Sequence, residues 1–275
     1  MTVLQLEVAS QEADLIIAEL YEAGATGITE LPASDGHVRL DTYFEDDAAA
    51  QALARRFSQM KPTIVAADER DWVAHSRSLW SPVEVGDRFY LAPEWQTDVE
   101  VPEGRIFLPM PAGQGFGSGS HESTRLALSA LEHSQVEGAS VLDVGTGSGI
   151  LLAAASALGA TALYGCDTDP VAVEAAASYL ADRKLKASLY LGSIDAVEPR
   201  KFHLVVANLN ATLILNLLDQ LFAALRPHGQ LILSGILREE QDVIRKALEA
   251  TPGITRLYHS SLGGWVNFRA TTSVK

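Results

Sequence analysis

Residues 141–158 restrict the fold more than any other stretch. Val141-Leu142-Asp143-Val144 reads as a buried strand, Gly145-Thr146-Gly147-Ser148-Gly149 follows it, and Ile150 to Leu158 has a helical composition. A strand that passes into a helix through alternate glycines makes a sharp turn and leaves a backbone that a ligand can touch. Strand and helix go on alternating around it. Strands are expected at 139–143, 161–166, 187–191, 202–207, 229–234, 254–261 and 264–270, with helices at 122–133, 149–158, 170–182, 211–225 and 239–249. Residues 113–275 therefore predict an α/β unit with a doubly wound, Rossmann-like sheet of seven strands. Leu262-Gly263-Gly264 joins the last two strands with no helix between them, which predicts a C-terminal antiparallel hairpin.

The first 68 residues follow another pattern. Val3 to Val8 alternates as a strand, Gln11 to Ala23 carries apolar residues at helical spacing, and Thr26–Leu31 and His37–Phe44 flank the turn Pro32-Ala33-Ser34-Asp35-Gly36. A helix over Asp47–Met60 and a strand over Thr63–Ala67 complete βαββαβ, the order of a small ferredoxin-like α+β domain. Residues 69–112 read as a connector. It holds Trp72, Trp80 and Trp95 and five prolines (Pro82, Pro93, Pro102, Pro109, Pro111), a composition for packing rather than for a flexible linker.

Composition narrows the function classes. The net charge of −14 opposes direct binding of nucleic acid, which needs a basic footprint, and suits a basic protein partner. No apolar run reaches 18 residues, so no membrane span is expected, and the first residues, Met1-Thr2-Val3-Leu4-Gln5, lack the basic start of a signal peptide. Cys166 is the one cysteine and fits a reducing compartment, so a cytoplasmic location is expected. No C-x-x-C or H-x-x-x-H pair occurs, so no metal site is expected, and neither a nucleophile elbow nor a phosphate loop is present.

The glycine spacing points to the ligand. A dinucleotide site written G-x-G-x-x-G would place its third glycine at position 150, where this chain has Ile150; here the third is Gly149. G-x-G-x-G behind an acid, here Asp143, is the usual pattern of enzymes that bind S-adenosylmethionine, whose cofactor has no pyrophosphate to cradle. Asp167 ends the next strand, 22 residues after Gly145, where a carboxylate accepts hydrogen bonds from ribose hydroxyls. Asn208 ends the fourth strand and should face the reactive end of the cofactor, offering a neutral acceptor to an amine. Upstream, Gly113, Gly115, Gly117 and Gly119 lead through His121 into a helix; the glycines suggest a loop that folds over the cofactor. His121 stands as a candidate base or as the cap of that helix.

These residues resemble the methyltransferases of large-subunit ribosomal protein eleven, the PrmA family. The resemblance runs nearly end to end. It is carried by Asp71-Trp72, Pro82 to Arg88, Ala92-Pro93-Glu94-Trp95, Gly115 to Thr124, Asp143 to Leu151, Asp167 to Pro170, Val206-Ala207-Asn208, Ser234 to Leu237 and Gly264-Trp265. It implies cofactor contacts at Thr124, Gly145, Asp167 and Asn208, to which the glycine motif adds Asp143 and Gly147. It also implies a basic ribosomal protein substrate bound by the N-terminal domain. Ser118 and Ser123 stand where the family usually has Thr, Asn210 replaces a usual Leu, and Thr212 a usual small residue. Asn210 lies beside the expected target pocket and bears on substrate choice.

The expected activity is S-adenosylmethionine-dependent N-methylation of lysine or α-amino groups, with Asn208 as orienting group and His121 as the weaker catalytic candidate. The alternatives are a methyltransferase of the same architecture acting on another protein or a small molecule, and a cofactor-binding protein without turnover. A nicotinamide oxidoreductase is disfavoured by Ile150.

Overall fold

The computed structural model describes residues 2–9, 13–33, 36–45, 47–66, 82–96, 98–110, 121–197 and 201–273. The chain divides into two compact units, Met1–Trp80 and Ser81–Lys275.

In the first unit, β1 (Thr2–Ala9), α1 (Ala13–Glu22), β2 (Gly27–Pro32), β3 (His37–Phe44), α2 (Asp47–Arg56) and β4 (Thr63–Ala66) follow the expected order. The sheet order is β2-β3-β1-β4 with antiparallel neighbours. The two-residue period of β1 puts Leu4, Leu6 and Val8 on one face, where they pack with Ile16 and Leu20 of α1, Leu40 and Phe44 of β3 and Leu53 of α2. The second helix is shorter than the expected 47–60. It stops at Arg56, and Ser58–Met60 tightens into a 3-10 turn before Lys61 takes a left-handed conformation.

The second unit begins with a small sheet where the sequence reading has a connector. β5 (Val83–Val85), β6 (Phe89–Pro93) and β7 (Ile106–Met110) lie side by side, β5 antiparallel and β7 parallel to β6. The carboxylate of Glu132 clamps this sheet: it accepts the N–H groups of Asp87, Arg88 and Phe89 at 2.9, 3.0 and 3.2 Å. Glu132 ends α3 (Glu122–Glu132). Trp72 and Trp80, and the glycine-rich run 113–119, lie outside the described residues.

The main sheet is built from β8 (Ser140–Val144), β9 (Ala162–Asp167), β10 (Ala187–Leu191), β11 (Phe202–Asn208), β12 (Leu225–Leu237), β13 (Ile254–Leu262) and β14 (Trp265–Thr272). Helices α4 (Ile150–Ala157), α5 (Pro170–Asp182), α6 (Ala211–Ala223) and α7 (Gln241–Ala250) connect them. Strand order is β10-β9-β8-β11-β12-β14-β13. The first five are parallel, while β14 pairs antiparallel with both β12 and β13. The predicted seven-stranded α/β architecture and terminal hairpin are therefore present. Phe202 and Phe268 are among the largest fully buried side chains of its core. Each contributes about 1.5–3 kcal/mol by leaving water.

Two features of this sheet position a site. From β8 the chain winds outward through β9 to β10, then returns to place β11 on the other side of β8, so a crevice opens over their carboxyl ends. β12 carries a bulge: its pairing with β14 shifts register between Leu233 and Ile236, around Gly235 at φ +82°. Beyond the bulge Leu237 lies opposite Trp265, and both side chains turn toward the crevice.

Candidate functional site

A cavity of about 500 Å³ lies over the carboxyl ends of the strands, within the usual range for a small-molecule site. Its floor is the turn after β8. Gly145 has φ +76°, and a Cβ there would come within 2.5 Å of the Leu209 side chain, so the backbone itself is the surface offered to a ligand. The Gly145 and Thr146 N–H groups donate to the Cys166 carbonyl, which holds this turn against β9.

Asp167 ends β9 half-buried on the cavity wall. Its Oδ2 accepts the Gly147 N–H at 2.9 Å and its Oδ1 accepts the Asp169 N–H at 3.1 Å. Each oxygen keeps capacity for a second donor, as two neighbouring hydroxyls require. Helix capping falls to Asp169, which accepts the Val171 N–H at 2.9 Å ahead of Pro170.

Asp143 stands behind the wall. Its side chain is fully buried and does not line the cavity; it reaches the site through Thr146, whose hydroxyl donates to Asp143 Oδ2 at 3.0 Å. Burial, with a smaller contribution from the charge of Asp167, pushes its carboxyl up to about 8 against the Thr146 hydrogen bond, and Oδ1 has no hydrogen-bond partner among the described residues. The direct cofactor contact expected of Asp143 thus becomes support for Thr146, because the strand direction turns its side chain into the core.

At the other end of the cavity two residues 84 positions apart meet. Asn208 Nδ2 donates to Thr124 Oγ1 at 3.2 Å, and both line the cavity. Thr124 sits in the first turn of α3, whose start is fixed from two directions. Ser234 Oγ donates to the Ser123 carbonyl at 2.7 Å, and His121 Nδ1 accepts the Ser123 N–H at 3.3 Å as N-cap. Of the two readings of His121, the structure displays the cap. Its ring lies edge-on to Trp265, with centroids 4.6 Å apart, and does not line the cavity. Asn210 is likewise a cap: its Oδ1 accepts the Leu213 N–H at 2.9 Å and starts α6. That accounts physically for a polar residue at this position.

Several further residues line the cavity; Gly235, Leu237 and Trp265 belong to stretches that carry the family resemblance, whereas Gly192, Ser193, Leu213 and Glu240 belong to no motif. Gly192 and Ser193 follow β10, Gly235 and Leu237 end β12, and Leu213, Glu240 and Trp265 form the rim. The rule that ligands sit beyond the carboxyl ends of parallel strands would have found the first four. The rim depends on the β12 bulge.

The sequence pattern of the family described as ribosomal protein L11 methyltransferase (PrmA) matches residues 2–273. The chain belongs to this family. Among PrmA relatives, the ribosomal protein L11 methyltransferase of Desulforapulum autotrophicum is 34% identical over 202 residues, covering 72% of this chain and 66% of that protein. The match thus spans just under two thirds of that relative's length. The one from Desulfatibacillum aliphaticivorans is 31% identical over 278 residues, covering 92% and 88%. The crystal structure of a ribosomal protein L11 methylase from Lactobacillus delbrueckii subsp. bulgaricus superposes with a TM-score of 0.64 at 30% identity, over 70% of this chain and 98% of that one. Of the departures from the PrmA pattern, Ser123 is buried and lines the cavity, Thr212 is exposed, and Ser118 lies outside the described residues.

Proposed function

We propose that this chain transfers methyl groups from S-adenosylmethionine to amino groups, lysine side chains or an α-amine, of ribosomal protein L11. The observation that carries the reading is the pairing of Asn208 with Thr124 at one end of the cavity that holds Asp167 at the other. One end offers a carboxylate to a ribose, the other offers neutral polar groups to an amine. The residues fit the cofactor: the glycine floor has no side chain in the way, and Asp167 has acceptor capacity to spare. Gly145, Gly147 and Asp167 would hold the nucleoside part, with Thr124 and Asn208 at the sulfonium end.

When bound, S-adenosylmethionine supplies an already activated methyl group. The protein's task is alignment and exclusion of water. A lysine amine has an ordinary pKa of about 10.4 and must lose its proton before it attacks. The Leu209, Leu213 and Leu217 side chains beside Asn208 make the amine's surroundings apolar, which disfavours the charged form. With its amide nitrogen engaged by Thr124, Asn208 has its carbonyl oxygen left to orient the amine lone pair through an N–H. No side-chain base is required; His121 acts on the site by capping α3 and so placing Thr124.

Residues 1–68 serve as the substrate-recognition domain in this reading. The strongly acidic chain suits a basic protein and not nucleic acid. The reaction is placed in the cytoplasm, where ribosomal proteins are made; among the described residues no helix is long and apolar enough to cross a membrane. The test is incubation with isotopically labelled S-adenosylmethionine and ribosomal proteins from a strain lacking this activity, followed by mass spectrometry. Label on L11 amino groups is the expected result. Label elsewhere, or none, sinks the proposal.

A further inference from the structure

The cavity is longer than the cofactor reading needs. It runs beneath the ends of β10, β9, β8, β11 and β12 in turn. Adjacent strands lie about 4.8 Å apart, so Asn208 on β11 is about 10 Å across the sheet from Asp167 on β9, and Leu237 on β12 about 14 Å. If the nucleoside sits at Asp167 and transfer happens at Asn208, the space over β12 belongs to the acceptor.

That space has a particular chemistry. Its walls are apolar: Leu209, Leu213 and Leu217 on one side, Leu237 and Trp265 on the other. Leu213 is 44% exposed, so part of its side chain remains open to a ligand. Among the described residues lining the whole cavity there is no Lys, Arg or His, and only two carboxylates, Asp167 and Glu240. Asp167 is at the far end. Glu240 is at this one, half-buried, and its orientation is fixed because Oε2 accepts the Leu237 N–H at 3.0 Å. The nearby cation Arg238 is turned away, donating to the Gly263 carbonyl at 2.7 Å.

Resting on the methyltransferase reading above, we propose that Glu240 is a specificity-determining residue that captures an alkylammonium side chain at the rim, with Leu213 and Leu237 flanking its methylenes. A carboxylate beside the amine during transfer would hold it in its unreactive protonated form. Glu240 lies six residues beyond Ser234, the β12 residue that pairs with Asn208, so capture of the charged form at the rim and reaction of the neutral form at Asn208, after its proton has passed to solvent, take place at different points of one cavity. A neutral or acidic side chain of the same length gains nothing at the rim.

The test uses the full chain, with and without S-adenosylhomocysteine, titrated with n-butylammonium and with n-butanol as its uncharged counterpart, followed by NMR. Glu240→Gln keeps an acceptor for the Leu237 N–H and removes only the charge. The expected result is about tenfold weaker n-butylammonium binding in Glu240→Gln, the size of one lost exposed-to-half-buried charge contact. Butanol binding and S-adenosylhomocysteine affinity should stay unchanged, and the salt dependence of n-butylammonium binding should shrink to that set by the rest of the acidic chain. Leu213→Ala provides a second variant: it should weaken n-butylammonium more than methylammonium. Equal n-butylammonium affinity in wild type and Glu240→Gln, or butanol binding as tight as n-butylammonium, overturns the proposal. The substrate reading is judged separately. Ammonium preference at the rim without methylation of L11 would leave this inference standing and remove that one.

Discussion

Gly235 offers the sharpest test of how the fold supports the chemistry. It sits in the β12 bulge at φ +82°, and a Cβ built on it would lie 2.5 Å from the Leu209 carbonyl oxygen and 3.0 Å from Asn208 Oδ1. Ordinary contact begins at 3.4 Å, so Gly235→Ala must push the Leu209 carbonyl back by about 0.9 Å. The Leu209 N–H donates to the Ser234 carbonyl at 3.0 Å, so this segment cannot retreat without straining its own anchor. A left-handed conformation costs an L residue about 1–2 kcal/mol and the overpacking about 1–3 kcal/mol more, so the total is about 2–5 kcal/mol. In a unit of this size that lowers the melting temperature by about 4–20 °C. The effect on transfer should be larger, because a reacting group misplaced by about 1 Å loses about a hundredfold in rate. Affinity for S-adenosylhomocysteine should fall far less than the rate does, since the displaced Leu209 packs on Gly145 but the Asp167 end is remote from β12. Calorimetric titration, thermal melting and single-turnover transfer together read all three quantities. A variant that melts lower yet transfers at the wild-type rate refutes the link from Gly235 to Asn208.

Asp167→Ala removes a charge-assisted contact worth about 1.5–3 kcal/mol, so S-adenosylhomocysteine should bind about ten- to a hundredfold more weakly by calorimetry; unchanged affinity in a folded variant would take Asp167 out of the site. Asn208→Ala should slow transfer by about a hundred- to a thousandfold while cofactor affinity falls much less, and Asn208→Asp should move the optimum to higher pH by stabilising the ammonium; single-turnover rates from pH 6 to 10 decide between an orienting group and a simple ligand. The carboxyl of Asp143, raised from 3.8 to about 8 by burial, keeps its proton in the folded state over a range where the unfolded chain has released it. Folded protein then binds more protons than unfolded, so stability falls as pH rises from about 4 to 8, by up to about 1.4 kcal/mol per pH unit, and levels off above. Urea melts should show this slope in wild type and a flatter one in Asp143→Asn; equal slopes would mean that Asp143 is ionised in the folded chain.

The seven strands and their helices were legible because each obeys a local rule: a buried run, a helical period, a glycine or proline at the boundary. The positions of Asp167 and Asn208 on the cavity were legible for the same reason, as acid and amide at strand ends. What was hidden depends on pairing across long stretches of chain. Nothing near Thr124 announces Asn208, and the two are joined only when α3 lies over the end of β11. The β5–β7 sheet reads as a connector because its strands are short and carry prolines, and its clamp, Glu132, comes from a helix more than forty residues away. Asn210 lines the cavity as expected, but that its side chain also starts α6 was not legible. Asp143 was read as a ligand because its motif is a ligand motif, although the strand turns its carboxylate into the core.

The place of β14 between β12 and β13 also sets a timetable. β12 ends at Leu237, but the strand that covers its open edge begins only at Trp265. Ribosomes add about 5–20 residues per second, so a nascent chain waits about a few seconds with that backbone edge unpaired. By then β8, β9 and β11 have all been synthesised, and the pocket floor at Gly145 and Asp167 can already form. The wall made by Trp265 cannot. The Asp167 end of the cavity is synthesised before the Trp265 end, and the wall at the Trp265 end closes last.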